Sequence, residues 1–106
     1  MVKTTRVDLA EILDTPERQA AYISAALETG DPAFVRDAIG IVARARGMTE
    51  VARATGLNRE SLYKALGETG NPEFGTMLGV IRALGLQLAA RPVKSKATRQ
   101  RSRKAA

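Results

Sequence analysis

Thr49, Asn58, Arg59, Glu60, Ser61, Tyr63 and Lys64 are the side chains whose types and spacing point to chemistry. That chemistry is recognition of double-stranded DNA. Arg59 can donate two hydrogen bonds to guanine O6 and N7, and Glu60 can accept one from cytosine N4. Lys64 is placed to reach a base or a phosphate. The hydroxyls of Ser61 and Tyr63 suit phosphate oxygens, and Asn58 stands at the leading end. Thr49 opens the preceding segment, where a hydroxyl and free backbone N–H groups suit a phosphate. Taken singly, each is also an ordinary surface residue. A glutamate at a helix start favours the helix dipole, and an exposed tyrosine often packs over a neighbour. The specificity lies in the unit that holds them.

That unit is MTEVARATGLNRESLYKALG, Met48 to Gly67. It reads as two short helices, Thr49–Ala54 and Asn58–Leu66, joined by a tight turn. Gly56 falls between them, where a left-handed backbone strains any residue with a side chain. Ala52 is small where the helices approach, and Val51, Leu57 and Leu62 supply an inner face. Leu62 points inward with Ala65 or Leu66, which leaves the polar residues outward. This is the pattern of a helix-turn-helix, whose second helix enters the major groove. The first helix is too short to stand alone, so the rest of the chain must hold it.

The supporting elements share an opening device. Thr15-Pro16, Asp31-Pro32 and Asn71-Pro72 each put a capping residue before a proline. The cap oxygen accepts from an orphan backbone N–H, and proline at the first helical position forfeits no bond. The sequence therefore predicts helices over Pro16–Thr29, Pro32–Arg46 and Pro72–Leu84, ended by Gly30, Gly47 and Gly85. Their apolar faces are Ala20, Ile23 and Leu27 with Tyr22 and Ala26; then Val35, Ala38, Ile39, Val42 and Ala45; then Phe74, Met77, Leu78, Ile81 and Leu84. Gly40 costs helix propensity, which a close helix crossing explains. Gly75 and Gly79 either weaken the last helix or admit another backbone. Leu86, Leu88 and Ala90 alternate as in a half-buried strand, which needs a partner: Thr4–Val7, its own copy in a dimer, or another protein. Near the start, Thr4–Val7 fits a short strand. Asp8–Leu13 fits one helical turn with Leu9, Ile12 and Leu13 facing inward.

Composition bounds these readings. The chain has 106 residues, enough for one domain, with 44% apolar and 4% aromatic residues, so its core is aliphatic. It has no cysteine and no histidine. Disulfides, thiolate metal sites and the usual general base near neutral pH are therefore out of reach. We expect no catalytic residues, no metal, no cofactor and no enzyme. The net charge of +6 is unevenly placed. Up to Arg91, eleven basic residues face eleven acidic ones, and the whole excess lies in Lys94, Lys96, Arg99, Arg101, Arg103 and Lys104. The sequence pI near 10.3 thus describes the tail. We expect a domain over 1–91 and a disordered basic tail over 92–106, either merely solvated or contacting phosphates. There is no apolar stretch of membrane-span length, and MVKTTRVDLAEI has no signal-type core. A cytoplasmic location is expected.

From Ala43 to Leu88 the sequence resembles the addiction-module antidote proteins, HigA-like type II antitoxins with a Cro/C1-type (Xre-like) helix-turn-helix. RARGMT, TGLNRESLYKAL and GNPEF carry the resemblance, and ALG before the short segment supports it. Asp14–Gly47 is similar to that family's N-terminal helices, so the likeness spans Asp14 to about Arg91. It implies an all-α fold: a compact bundle of about five helices with a lambda-repressor-like helix-turn-helix, a short C-terminal strand and the basic tail. It also implies an antitoxin that neutralises a RelE/HigB-like toxin and represses its own operon as a homodimer. The family's DNA contacts map onto Thr49, Asn58, Arg59, Glu60, Ser61, Tyr63 and Lys64. Gly75 and Gly79, where helix formers are expected, and the long tail depart from the family pattern.

Two other readings compete. One is a stand-alone phage-like repressor without a toxin partner. The other is a protein-binding module with a vestigial helix-turn-helix, to which the neutral balance of 1–91 gives footing. A two-fold dimer suits DNA, because two half-sites about 34 Å apart raise affinity and specificity. The last helix and Leu86–Ala90 are expected to supply the interface.

Overall fold

The computed structural model describes residues 11–93. These form five helices and no strand: α1, Pro16–Glu28; α2, Pro32–Arg46; α3, Met48–Thr55; α4, Arg59–Ala65; α5, Phe74–Ala83. The first two helices start as their sequence dictates. Thr15 accepts from the Arg18 N–H at 3.1 Å, and Asp31 accepts from the N–H groups of Ala33 at 3.0 Å and Phe34 at 3.5 Å. Each cap contributes about 1 kcal/mol.

The third proline start differs. Helix α5 begins at Phe74, with Glu73 in the cap position and no side-chain cap bond. The cause is tertiary. Arg36 of α2 donates to the carbonyl of Gly70 at 2.9 Å. A β-carbon on Gly70 would overlap the Ala65 carbonyl. The loop is thus held against α2 and the end of α4, and Asn71-Pro72 is spent on reaching α5 rather than starting it.

Helix α2 is the central element, packing on α1, α3 and α5. Its Ile39, Val42 and Ala43 join Val51 and Ala52 of α3, Leu62 and Leu66 around α4, and Val80, Ile81 and Leu84 around α5 in one aliphatic core. Gly40 is buried at the closest approach. A β-carbon there would lie 3.2 Å from the Leu66 carbonyl oxygen and 3.5 Å from the Leu66 Cβ. This is the close crossing its position implied. Behind the core, Arg46 donates to the Leu84 carbonyl at 2.8 Å, and the buried Gln19 donates to the Leu13 carbonyl at 3.0 Å. These two bonds tie the end of α5 and the chain before α1 to the inner helices.

Several burial expectations are corrected. Ala45 is exposed and Ala43 buried, since the interior side of α2 is rotated by the packing of α3. Leu57 is 37% exposed, at the turn rather than inside it. Leu27 and Phe74 are exposed, Phe74 at 68%. Leu86–Ala90 forms no strand. No partner strand exists among the described residues, and the segment instead follows the core, with Leu86 and Leu88 half-buried against it. The Leu86 N–H donates to the Ile81 carbonyl at 3.1 Å. Glu11 and Ile12 are helical and Leu13 is buried, but Ile12 faces out. Thr4–Val7, Leu9 and the tail beyond Val93 lie outside the described residues.

The crossing at Gly40 gives a test. Gly40→Leu adds a side chain where the Leu66 backbone already touches, and it should destabilise the fold by about 1–3 kcal/mol despite its better helix propensity. Urea unfolding followed by circular dichroism measures this.

Candidate nucleic-acid interface

The face in question is built on α3 and α4, helices of eight and seven residues. Neither length is stable in isolation. Helix α3 is anchored by Met48, Val51 and Ala52. It ends at Gly56, whose φ of 80° is the left-handed conformation that favours glycine. Helix α4 is anchored by Leu62, with Leu66 buried just past its end. Two leucines four apart define its inner side, and the other positions turn outward.

Every residue singled out from the sequence is exposed: Thr49, Asn58, Arg59, Glu60, Ser61, Tyr63 and Lys64. Their local arrangements differ. Asn58 caps α4, its side-chain oxygen accepting from the Ser61 N–H at 2.7 Å. That oxygen is committed, and the carboxamide nitrogen remains a free donor. Arg59 lies over the ring of Tyr63, its guanidinium carbon 5.6 Å from the ring centroid. This is a cation–π contact worth about 0.5–1 kcal/mol at an exposed site. Glu60 and Lys64 share a side of α4 at i, i+4 spacing but are not among the ion pairs of the described residues. Thr49 stands in the first turn of α3. No side chain caps that turn, so its leading N–H groups are unclaimed.

The α4 residues are thus brought onto one short helix, and Thr49 is on the helix before it. The structure adds Arg53, which the sequence argument passed over. It is exposed in the last turn of α3, four residues after Thr49 and on the same side. The i, i+4 spacing from Thr49 was the available signal. With Arg59 and Lys64 it places three cations over the two helices, against Glu50 and Glu60. Among the described residues there is no group of three or more carboxylates able to hold a metal ion, and no helix is long and apolar enough to cross a membrane.

The molecule is therefore of a definite class: a small all-helical domain that displays a polar helix on a rigid aliphatic base. The chain belongs to the family described as "Probable addiction module antidote protein", whose model matches residues 3–92. A relative from Haemophilus influenzae, described as an uncharacterized protein, is 44% identical over 80 residues, covering 76% of this chain and 82% of its own length. No solved structure matches.

The cap at Asn58 is separable from any ligand contact. Asn58→Ala should lower stability by about 1 kcal/mol, while Asn58→Asp should keep it within a few tenths. Thermal melts of the two variants provide the comparison.

Proposed function

We propose that this chain is the antitoxin of a type II toxin–antitoxin module. It binds its own operator in double-stranded DNA through a Cro/C1-type helix-turn-helix formed by α3 and α4, and thereby represses its operon. It also neutralises a co-encoded RelE/HigB-like toxin. It works in the cytoplasm as a homodimer and has no enzymatic activity. The observation that carries the DNA part is the outward row on α4: Arg59, Glu60, Tyr63 and Lys64 exposed together above the buried Leu62 and Leu66. The antitoxin part is supported by membership of the antidote family.

On this reading α4 lies in the major groove. Arg59, Glu60 and Lys64 address base edges, and Ser61, Tyr63 and Thr49 address phosphates. The free amide of Asn58 joins them at the leading end. Arg53 extends the phosphate contacts along α3. Because residues up to Arg91 carry no net charge, the folded domain contributes few, local contacts. Long-range attraction then comes from the basic tail.

A mobility-shift titration with the gene's own promoter tests the first part. Arg59→Ala should weaken binding by about 1–3 kcal/mol and relax selectivity at one base pair. Equal binding by Arg59→Ala and the parent protein would reject α4 as the reading helix. Co-expression with the adjacent gene should yield a complex, and the absence of any complex would leave a repressor without a toxin.

The tail has its own test. Removing Pro92–Ala106 should flatten the dependence of log affinity on log salt by up to about 5, on the basis of about 0.9 per phosphate neutralised. An unchanged slope would show the tail to be uninvolved.

A further inference from the structure

Helix α5 is apolar on nearly every side yet covered on one. Among FGTMLGVIRA only Thr76 and Arg82 are polar, and only Val80 and Ile81 are buried. A helix of that composition is one whose other faces are covered in the working assembly. Beside it opens a groove of about 680 Å³, walled by Leu27, Val35, Ile39, Met77 and Ile81, with Phe74 on its rim. The charged residue of the groove, Arg36, is already engaged by Asp37 and the Gly70 carbonyl.

The glycines of α5 point the same way. A β-carbon at Gly75 or Gly79 would meet nothing within 4 Å, in contrast to Gly40. Nothing within the chain compensates for the helix propensity they forfeit. They lie four apart, and Arg82 extends their row at i, i+7. Glu73 stands at the other end of the helix. Both charges are exposed, and neither is among the ion pairs of the described residues.

We propose that a second copy of this chain covers this face. The two α5 helices cross antiparallel at Gly75 and Gly79, and Phe74 of each copy enters the groove of the other. The inference rests on the homodimer reading given above and names its surface. Two features select a second copy as the occupant. A two-fold interface must carry knob and hole on one patch, and Phe74 sits on the rim of the groove. An antiparallel crossing centred near Met77 also brings Glu73 of one copy toward Arg82 of the other, so the unpaired charges become complementary. A parallel crossing would set like against like. The lining residues include none from α3 or α4, so both recognition faces stay open in the pair.

Sedimentation of the full chain over a concentration series tests this. The parent protein should dimerise. Phe74→Glu should weaken the dimer by at least about tenfold, as loss of an aromatic anchor does, with circular dichroism unchanged because Phe74 is already exposed. Gly75→Leu with Gly79→Leu should do the same while the monomer melts no lower. Arg82→Glu should weaken association, and adding Glu73→Arg should restore it. A parent protein monomeric throughout, or Phe74→Glu and the double glycine variant as dimeric as the parent, would overturn the proposal. So would a Phe74→Glu dimer that has lost only the co-encoded toxin, which would give the face to that partner. Promoter binding is scored separately. Dimers through α5 that ignore the promoter would sink the operator reading alone, and monomers that shift it would sink this one alone.

Discussion

The contact between Gly40 and the backbone of Leu66 is the constraint on which the rest depends. Helix α4 has seven residues and cannot fix its own orientation. It is fixed because α2 presents a position without a side chain, so the Leu66 carbonyl lies where a β-carbon would crowd it. Leu62 and Leu66 then drop into the core made by Val42, Val51 and Val80. The direction of the exposed side of α4 is therefore decided on α2, some twenty residues earlier in the chain. Arg36 secures the loop after α4 from the same helix, so α2 controls both ends of that region.

The molecule separates its polar and apolar surfaces by element. Helices α3 and α4 bury a few aliphatic side chains and expose charges. Helix α5 and the end of α1 leave Phe74 and Leu27 in the open. An exposed aromatic of this kind is informative where an isolated exposed leucine is not. The polar anchors Gln19 and Arg46 lie on the opposite side of the accounting. They bond carbonyls of Leu13 and Leu84 that no helix satisfies, and so close the bundle where its ends meet.

Local rules proved legible in the sequence, and tertiary ones did not. Thr15, Asp31 and Gly56 act through neighbours within three or four residues, and each is found in the expected conformation. Asn71-Pro72 carries the same local signal, yet the loop's attachment to Arg36 overrides it. Apolar periodicity gave α2 its inner side to within one position, Ala43 for Ala45. It failed at Phe74 and Leu27, because a single chain does not reveal whether an apolar face is met by its own core. Alternation in Leu86–Ala90 suggested a strand, but a strand requires a neighbour to bond, and half-burial of Leu86 and Leu88 produces the same pattern without one. For the candidate interface, type and exposure of the α4 residues were legible. The commitment of the Asn58 oxygen to the cap and the seating of Arg59 on Tyr63 were not, since both depend on side-chain geometry.

The seating of Arg59 has a thermodynamic consequence. A free arginine explores many rotamers and loses them on being held, at a cost of about 0.5–1.5 kcal/mol per immobilised side chain. Over the Tyr63 ring, part of that freedom has already been given up in folding, where the aliphatic core offsets it. Any ligand that accepts the guanidinium in this pose then meets a smaller ordering penalty. One that draws it off the ring must first break the cation–π contact. The tyrosine thus biases which ligand geometries the arginine can serve, without itself touching the ligand.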